Sequence, residues 1–384
     1  DGGKPFDYER QVEGLQVLDR YRFRVRLAAP DPRFIHQFAD ASITGAVARE
    51  VVERWADRIG EHPVGTGPFR LAQWRRSARI VLDRNPGFRE LRHDETPNPA
   101  DARLVAIADQ LRGRRLPMLD RVEISIIEEH QPRWLSFLEQ QLDVLENVPP
   151  DFIGLALDGD QVAPHLARRG VQAQQYPRAD IRMTYFQMSN PLVGGLEPAK
   201  VALRRAIALA FDGPRELASI MRGRGVLAQS PVPPQVEGFD PAFRSEMSRF
   251  DLAAAKALLD LYGWIDRDGD GWRDQPDGRP LELQMATQAD QRSRALMELW
   301  KKCMDALGLR IVFSTAQWPE NLKASRAGKL MMWTVGLSAT VPDAEGFLVL
   351  GYGPSAGQLN HARFQLPEFD RLFEAQKRLP DGAE

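Results

Sequence analysis

Asp266, Asp268, Asp270 and Asp277 stand at D-x-D-x-D-G-x5-D spacing, which gathers carboxylate oxygens around one turn and suits a hard cation such as calcium. An EF-hand would carry a bidentate Glu where Asp277 stands and an apolar residue where Arg273 stands. Its entering helix would also run past Tyr262-Gly263-Trp264. The spacing therefore predicts a solvated acidic turn, with calcium at Asp266, Asp268 and Asp270 as the alternative. Residues 353–357, GPSAG, match G-x-S-x-G, the turn that exposes a nucleophilic serine in α/β-hydrolases. That chemistry needs a strand before Ser355, a helix after it, and then an acid followed by a histidine. Here the last histidine, His361, precedes Asp370, so chance occurrence is expected, and a hydrolase using Ser355 stands only as the alternative of another class. The histidines at 36, 62, 93, 130, 165 and 361 form no H-E-x-x-H pair, and no phosphate-binding or dinucleotide fingerprint occurs. No enzyme activity, cofactor or metal centre is expected.

A net charge of −2 over 384 residues leaves no field for a polyanion, and Arg75-Arg76 and Arg112 to Arg115 have no aromatic platform beside them. Nucleic acid is thus not an expected partner. The chain is long enough for two or three domains with a large core. Cys303 is the single cysteine, so no disulfide framework exists, and it falls on an apolar helix face where an inert thiol is expected. No apolar run reaches membrane-spanning length.

The elements that would position a site follow from periodicity. Tyr21, Phe23, Val25 and Leu27 alternate as a strand, and Val47, Val51, Trp55 and Ile59 repeat as a helix stopped by Gly60. Residues 121–127, 131–140 and 142–145 read as strand, helix and strand. In the last third, 281–285, 309–313 and 330–335 are strand-like with helices between them. The first of these helices keeps Leu296, Leu299, Trp300, Cys303, Met304 and Leu307 on one stripe, with Asp290 as N-cap and Gly308 as stop. Such a run forms an open α/β lobe, which binds ligands beyond the carboxyl ends of its strands. That places the expected site in the loop after the third strand, 336–346. A lobe boundary is expected near 190–198, where NPLVGGLEP breaks the pattern.

Residues 62–88, HPVGTGPFRLAQWRRSARIVLDRNPGF, join a glycine-proline turn to two strands, with Ile80 and Leu82 on one face and Arg79, Val81 and Asp83 on the other. The whole string closely resembles the signature of family 5 extracellular solute-binding proteins, the oligopeptide- and dipeptide-binding group of ABC importers. Further segments occur in the family's order: residues 113–149, MTYFQMSN (183–190), VALRRAIALAFDGPREL (201–217), SPVPPQVEGFDP (230–241) and AKALLDLYGWIDRDGDGWRD (255–274). The resemblance implies an α/β, periplasmic-binding-protein-like (type II) fold, two-lobed, with mixed sheets and flanking helices. It implies residues 1–190 in a discontinuous first lobe and 191–384 in the second, truncation at both ends, and a signal peptide in the full-length protein. It further implies a monomeric, non-catalytic receptor, periplasmic or extracellular and membrane-anchored, which delivers a peptide or similar solute to a membrane permease.

Ligand contacts are implied by the same resemblance. The family's binding loop resembles G-W-x-A-D-Y-x-x-P-x-x-F-L, and its aspartate pairs with a peptide's α-amino group. Here the segment begins Gly336-Leu337-Ser338-Ala339-Thr340, so Thr340 stands at the aspartate position and Leu337 at the tryptophan position. A hydroxyl supplies no counter-charge to a buried ammonium. Asp343, three residues on, is the candidate substitute. The departure favours an alternative ligand such as an oligosaccharide, an opine-like compound or a metal chelate. Trp318 matches a pocket-lining tryptophan, with helix packing as its other reading. Ser325, Arg326 and Thr334 lie where polar or cationic contacts are placed. Of the adjacent pair Tyr185 and Phe186, which face opposite sides of a strand, one is expected to see ligand.

Overall fold

The structure, a computed structural model, describes residues 7–176, 178–338 and 343–379. Thr340 lies outside them. The chain divides into two compact units, residues 37–171 and residues 1–36 together with 172–384.

In the first unit, β1 (Phe69–Arg75) and β2 (Arg79–Arg84) form the antiparallel hairpin of the glycine-proline signature. Asn85 ties its base: the backbone N–H donates to Pro68 O at 2.8 Å and the side-chain amide to Gly67 O at 2.9 Å. β3 (Arg121–Ser125) pairs antiparallel with the other edge of β2. β2 is central, paired along both edges, and Val81, on the face opposite Ile80 and Leu82, is its most buried residue at 5% exposure. Helix α1 (His130–Leu138) buries Trp134 against Ala156 and Leu166, with Phe152 stacked at 5.6 Å. Residues 142–145 form no strand. Extended propensity needs a partner edge to become a strand, and Leu145 instead packs onto the Trp134 cluster.

The second unit holds the main sheet. Strands β4 (Asp180–Phe186), β5 (Glu282–Thr287), β6 (Arg310–Thr315) and β7 (Met332–Ser338) lie in the order β4-β7-β5-β6. β7, β5 and β6 are parallel, and β4 runs antiparallel to β7 along its whole length. Helices α2 (Pro198–Ala210), α3 (Leu252–Leu261) and α4 (Gln291–Leu307) cover one face, burying Leu203, Ile207, Leu259, Leu283 and Met304 completely. The expected stops hold in α4: Asp290 Oδ1 accepts from Ser293 N at 2.9 Å, and Gly308 takes a left-handed φ of 80° that a β-carbon would disfavour. α5 (Trp318–Arg326) links β6 to β7.

The boundaries between the units fall at 36/37 and 171/172, whereas the sequence places a lobe boundary at 190/191. β4 precedes position 190, and its ladder with β7 places it with the later chain. The strand expected over Tyr21 to Leu27 is a short hairpin, Leu15–Val17 with Phe23–Val25, and it leaves Tyr21 84% exposed. The helix expected over 47–59 is α-helical only at Arg49–Trp55 and continues as a 3-10 turn, Ala56–Glu61.

Candidate functional site

A cavity of about 180 Å³ opens in the larger unit where β5 and β7 approach their carboxyl ends. Its apolar wall comes from α4 and the sheet: Leu296, Met297, Trp300 and Phe313. Trp300 is held by stacking on Phe211 at 4.3 Å. Trp318, at the first turn of α5, supplies a second aromatic wall; it is 42% exposed and leans on the buried Trp333 at 4.8 Å. The start of α5 is fixed to the end of β5 through buried Asn321, whose amide donates to Thr287 O at 2.8 Å. Aromatic position is thus set by a hydrogen bond made at the strand end.

The polar rim is charged. Alternation along β4 turns Arg182 and Thr184 to one side, and the Thr184 and Thr334 hydroxyls meet at 2.8 Å across the ladder. Arg182, Asp290 and Arg292 all line the cavity. Loss of hydration, and then the neighbouring charge of Arg292, lowers the pKa of Arg182; loss of hydration also lowers that of Arg292. Both stay cationic, since arginine begins so far above neutrality. Burial pushes Asp290 up, but hydrogen bonds from Ser293 outweigh it and hold the carboxyl below its usual range. Glu216, in a π-helical turn at Glu216–Ile220, is pushed up by burial against the pull of both arginines.

Of the residues singled out in the sequence, Trp318 and Thr334 come together at this cavity. Tyr185 turns to the other face of β4, where it is buried with Ala286, Trp333 and Val335 and its hydroxyl meets Ser325 Oγ at 2.7 Å. Phe186 packs against the main core. Arg326 is exposed at the end of α5, where its carbonyl accepts from Arg363 at 2.6 Å. Leu337 packs with Ile181, Val232, Val236 and Phe347, and Ser338 is exposed at the end of β7, paired with Asp180. Asp343 is buried in an ion pair with Arg33 at 2.6 Å and accepts from Glu345 N at 2.7 Å. None of these lines the cavity.

The acidic turn also differs from its sequence pattern. Asp266, Asp268 and Asp274 bring oxygens within 4.8 Å of one another, whereas Asp270 is engaged by Arg310 and Asp277 by Arg279. Asp266 already accepts from Gly269 N and Gly271 N at 2.7 and 2.9 Å, which is how an acidic turn stabilises itself without a metal. Ser355 lies in a 3-10 turn, Gly353–Ser355, preceded by another, Val349–Gly351. The strand-turn-helix setting of a nucleophile is absent there.

Arg182 and Arg292 escape the sequence patterns, and Trp300 is marked there only as part of the apolar stripe of α4. A lone charge within the apolar run of β4 is the one local signal for Arg182; Arg292 looks like any polar residue in the first turn of a helix.

Residues 1–358 match the family described as bacterial extracellular solute-binding proteins, family 5 (middle). Di/tripeptide-binding protein 2 of Pseudomonas aeruginosa (strain UCBPP-PA14) is 24% identical over 383 residues, covering 97% of this chain and 62% of that protein. The oligopeptide-binding protein OppA of Bacillus subtilis (strain 168) is 20% identical over 376 residues, covering 96% of this chain and 60% of that protein. The chain therefore spans about three fifths of the length of these relatives. Among solved structures, the periplasmic binding protein DppA from Helicobacter pylori in complex with the peptide STSA superposes with a TM-score of 0.71 at 17% identity, covering 96% of this chain and 63% of that one. NikA from Brucella suis in complex with Fe(III)-EDTA gives 0.69 at 18% identity, covering 96% and 67%. The chain shares their fold.

Proposed function

Because the chain belongs to family 5 of the bacterial extracellular solute-binding proteins, we propose that it is the solute-capturing part of a receptor that serves an ABC importer. In this proposal a peptide or similar small solute is enclosed between two lobes and handed to a membrane permease. A solute that touches both lobes stabilises the closed state by as much as it prefers that state, and the permease responds to the closed shape. The observation that carries the proposal is the cavity at the carboxyl ends of β5 and β7, where an aromatic wall and charged groups meet. The receptor acts as a monomer outside the cytoplasmic membrane; among the described residues no helix is long and apolar enough to cross a membrane.

A second reading, a non-peptide ligand such as a metal chelate, is favoured by Thr340 at the position of the family's aspartate and by the engagement of Asp343 with Arg33. The structural neighbour that holds Fe(III)-EDTA supports the same reading. Small-angle scattering of the full-length protein with a library of peptides and metabolites tests the receptor proposal. Compaction on binding is expected. A solute bound tightly without compaction, or no bound solute at all, would overturn it.

A further inference from the structure

Away from the cavity, at the amino end of β7, the larger unit gathers positive charge without a counter-charge. Three pieces of chain are tied together there: Gln187 N donates to Met331 O at 2.9 Å, Met188 N to Ala362 O at 2.7 Å, and the Gln187 side-chain amide to Gly328 O at 3.0 Å. Lys323 and Arg326 occupy the last turn of α5, Lys329 follows its end, and Arg363 comes from the third piece. Residues 181–196, 321–338 and 346–367 contain no Asp or Glu, although the chain has 53 of them. Among the described residues, none of the four cations forms an ion pair. The carboxyl end of a helix offsets about half an elementary charge, so most of this charge stays unbalanced.

The geometry of Arg363 is built rather than incidental. Its Nη2 donates to Arg326 O at 2.6 Å, and a β-carbon at Gly328 would stand 2.6 Å from its Nε. One at Gly357 would stand 3.1 Å from Nη2, so two glycines leave the room that the guanidinium fills. Arg363 itself takes a φ of 54°, in the left-handed region that disfavours a side chain. Its loop is pinned by fully buried Asn360, whose amide donates to Tyr352 O at 2.9 Å and Phe364 O at 2.8 Å. Leu359, 42% exposed, is the one large apolar side chain that the described parts of 187–190, 321–331 and 356–363 expose.

We infer that this face docks an acidic segment of a partner protein, with its carboxylates on Lys323, Arg326, Lys329 and Arg363 and an apolar side chain against Leu359. The inference goes beyond solute capture, since none of these residues lines the cavity. A carboxylate matches the guanidinium fork, and the two arginines give the surface direction as well as charge. An anionic lipid surface is better served by cations on free stems among several exposed apolar residues. Here one guanidinium is fixed between glycines and a single leucine is exposed.

The test uses the full-length protein and a folded, labelled carrier protein that displays a loop of alternating Glu and Leu, compared with the same carrier bearing Gln for each Glu. The carrier is too large for a cavity of about 180 Å³, so fluorescence anisotropy reads surface docking alone. The Glu carrier is expected to bind and the Gln carrier to fail, and raising salt from about 50 to about 300 mM should weaken binding. Arg326→Gln combined with Lys329→Gln, both exposed, should weaken it about fivefold or more. Lys256→Gln combined with Lys302→Gln removes equal charge from exposed positions on α3 and α4 and should change it about twofold or less. Equal binding of the two carriers, equal losses in the two double variants, no binding at millimolar carrier, or binding to phosphatidylglycerol vesicles without binding to the Glu carrier overturns the inference. Each of those results leaves the solute proposal standing, because no cavity residue takes part.

Discussion

Replacing Ser325 with alanine removes one oxygen from the second unit, yet it is expected to destabilise more than removing the larger-looking hydroxyl of Tyr185. Ser325, 1% exposed, sits in the middle of a buried chain: its Oγ is 2.7 Å from Tyr185 OH and 2.9 Å from His361 Nδ1. Tyr185→Phe deletes an end of the chain and leaves Ser325 bonded to His361, so it should cost about 1 kcal/mol, the net value of one hydrogen bond. Ser325→Ala leaves both a phenol and an imidazole nitrogen unmet. At about 1–2 kcal/mol for each stranded buried group, the cost is about 2–4 kcal/mol. The double variant strands only His361, at about 1–2 kcal/mol, so it should cost about 2–3 kcal/mol less than the sum of the singles. Urea unfolding followed by tryptophan fluorescence measures all three. Because Tyr185 faces the core, solute affinity should stay unchanged in Tyr185→Phe. Additive costs, or Ser325→Ala no worse than Tyr185→Phe, would refute the chain; a loss of affinity in Tyr185→Phe would refute its placement away from the site.

Asp343→Ala should destabilise by about 2–4 kcal/mol in urea unfolding, because it removes a buried carboxylate that lies 2.6 Å from the mostly buried Arg33 guanidinium; a change below about 0.5 kcal/mol would show that the pair is not formed in solution. Burial, and secondarily the charge of Arg326, holds the pKa of His361 below its ordinary value of 6.5. The unfolded chain therefore takes up this proton first, so the contribution is complete above pH 6.5 and declines as pH falls from there. The unfolding midpoint should decrease as pH falls below 6.5, and less steeply in His361→Gln; identical slopes would remove His361 as the cause. The Cys303 thiol is buried, and its pKa is raised by that burial. Iodoacetamide should modify it only after unfolding, and labelling of the native protein at the rate of a free thiol would contradict its position in the core.

What could be seen in the sequence depended on distance along the chain. The α4 stripe, its Asp290 cap and its Gly308 stop are interactions among near neighbours, and they formed as their spacing predicts. The glycine-proline hairpin is likewise local, closed by Asn85 upon Gly67 and Pro68. Residues 142–145 show the limit: β-branched and apolar residues favour extended chain, but a strand exists only when another edge accepts its hydrogen bonds. At the site, Trp318 and Thr334 were visible through the family pattern and lie at the cavity. The pattern also marked Leu337, Asp343 and Tyr185, which spend their side chains on packing, an ion pair and a buried hydrogen bond.

The sequence by itself determined the family, through segments that resemble its signature, and the local elements, which follow from backbone preference and short-range periodicity; it raised only the expectation of a solute at the strand ends. Only the tertiary structure decided which charges face that place. Arg182 lies on β4 and Arg292 at the start of α4, 110 positions apart by numbering. They share a cavity because the sheet order β4-β7-β5-β6 lays β4 against β7, beside the end of β5 from which the chain enters α4. A sheet order is a choice among pairings of similar local propensity, made by burial of the whole core, and no single stretch of the chain records it.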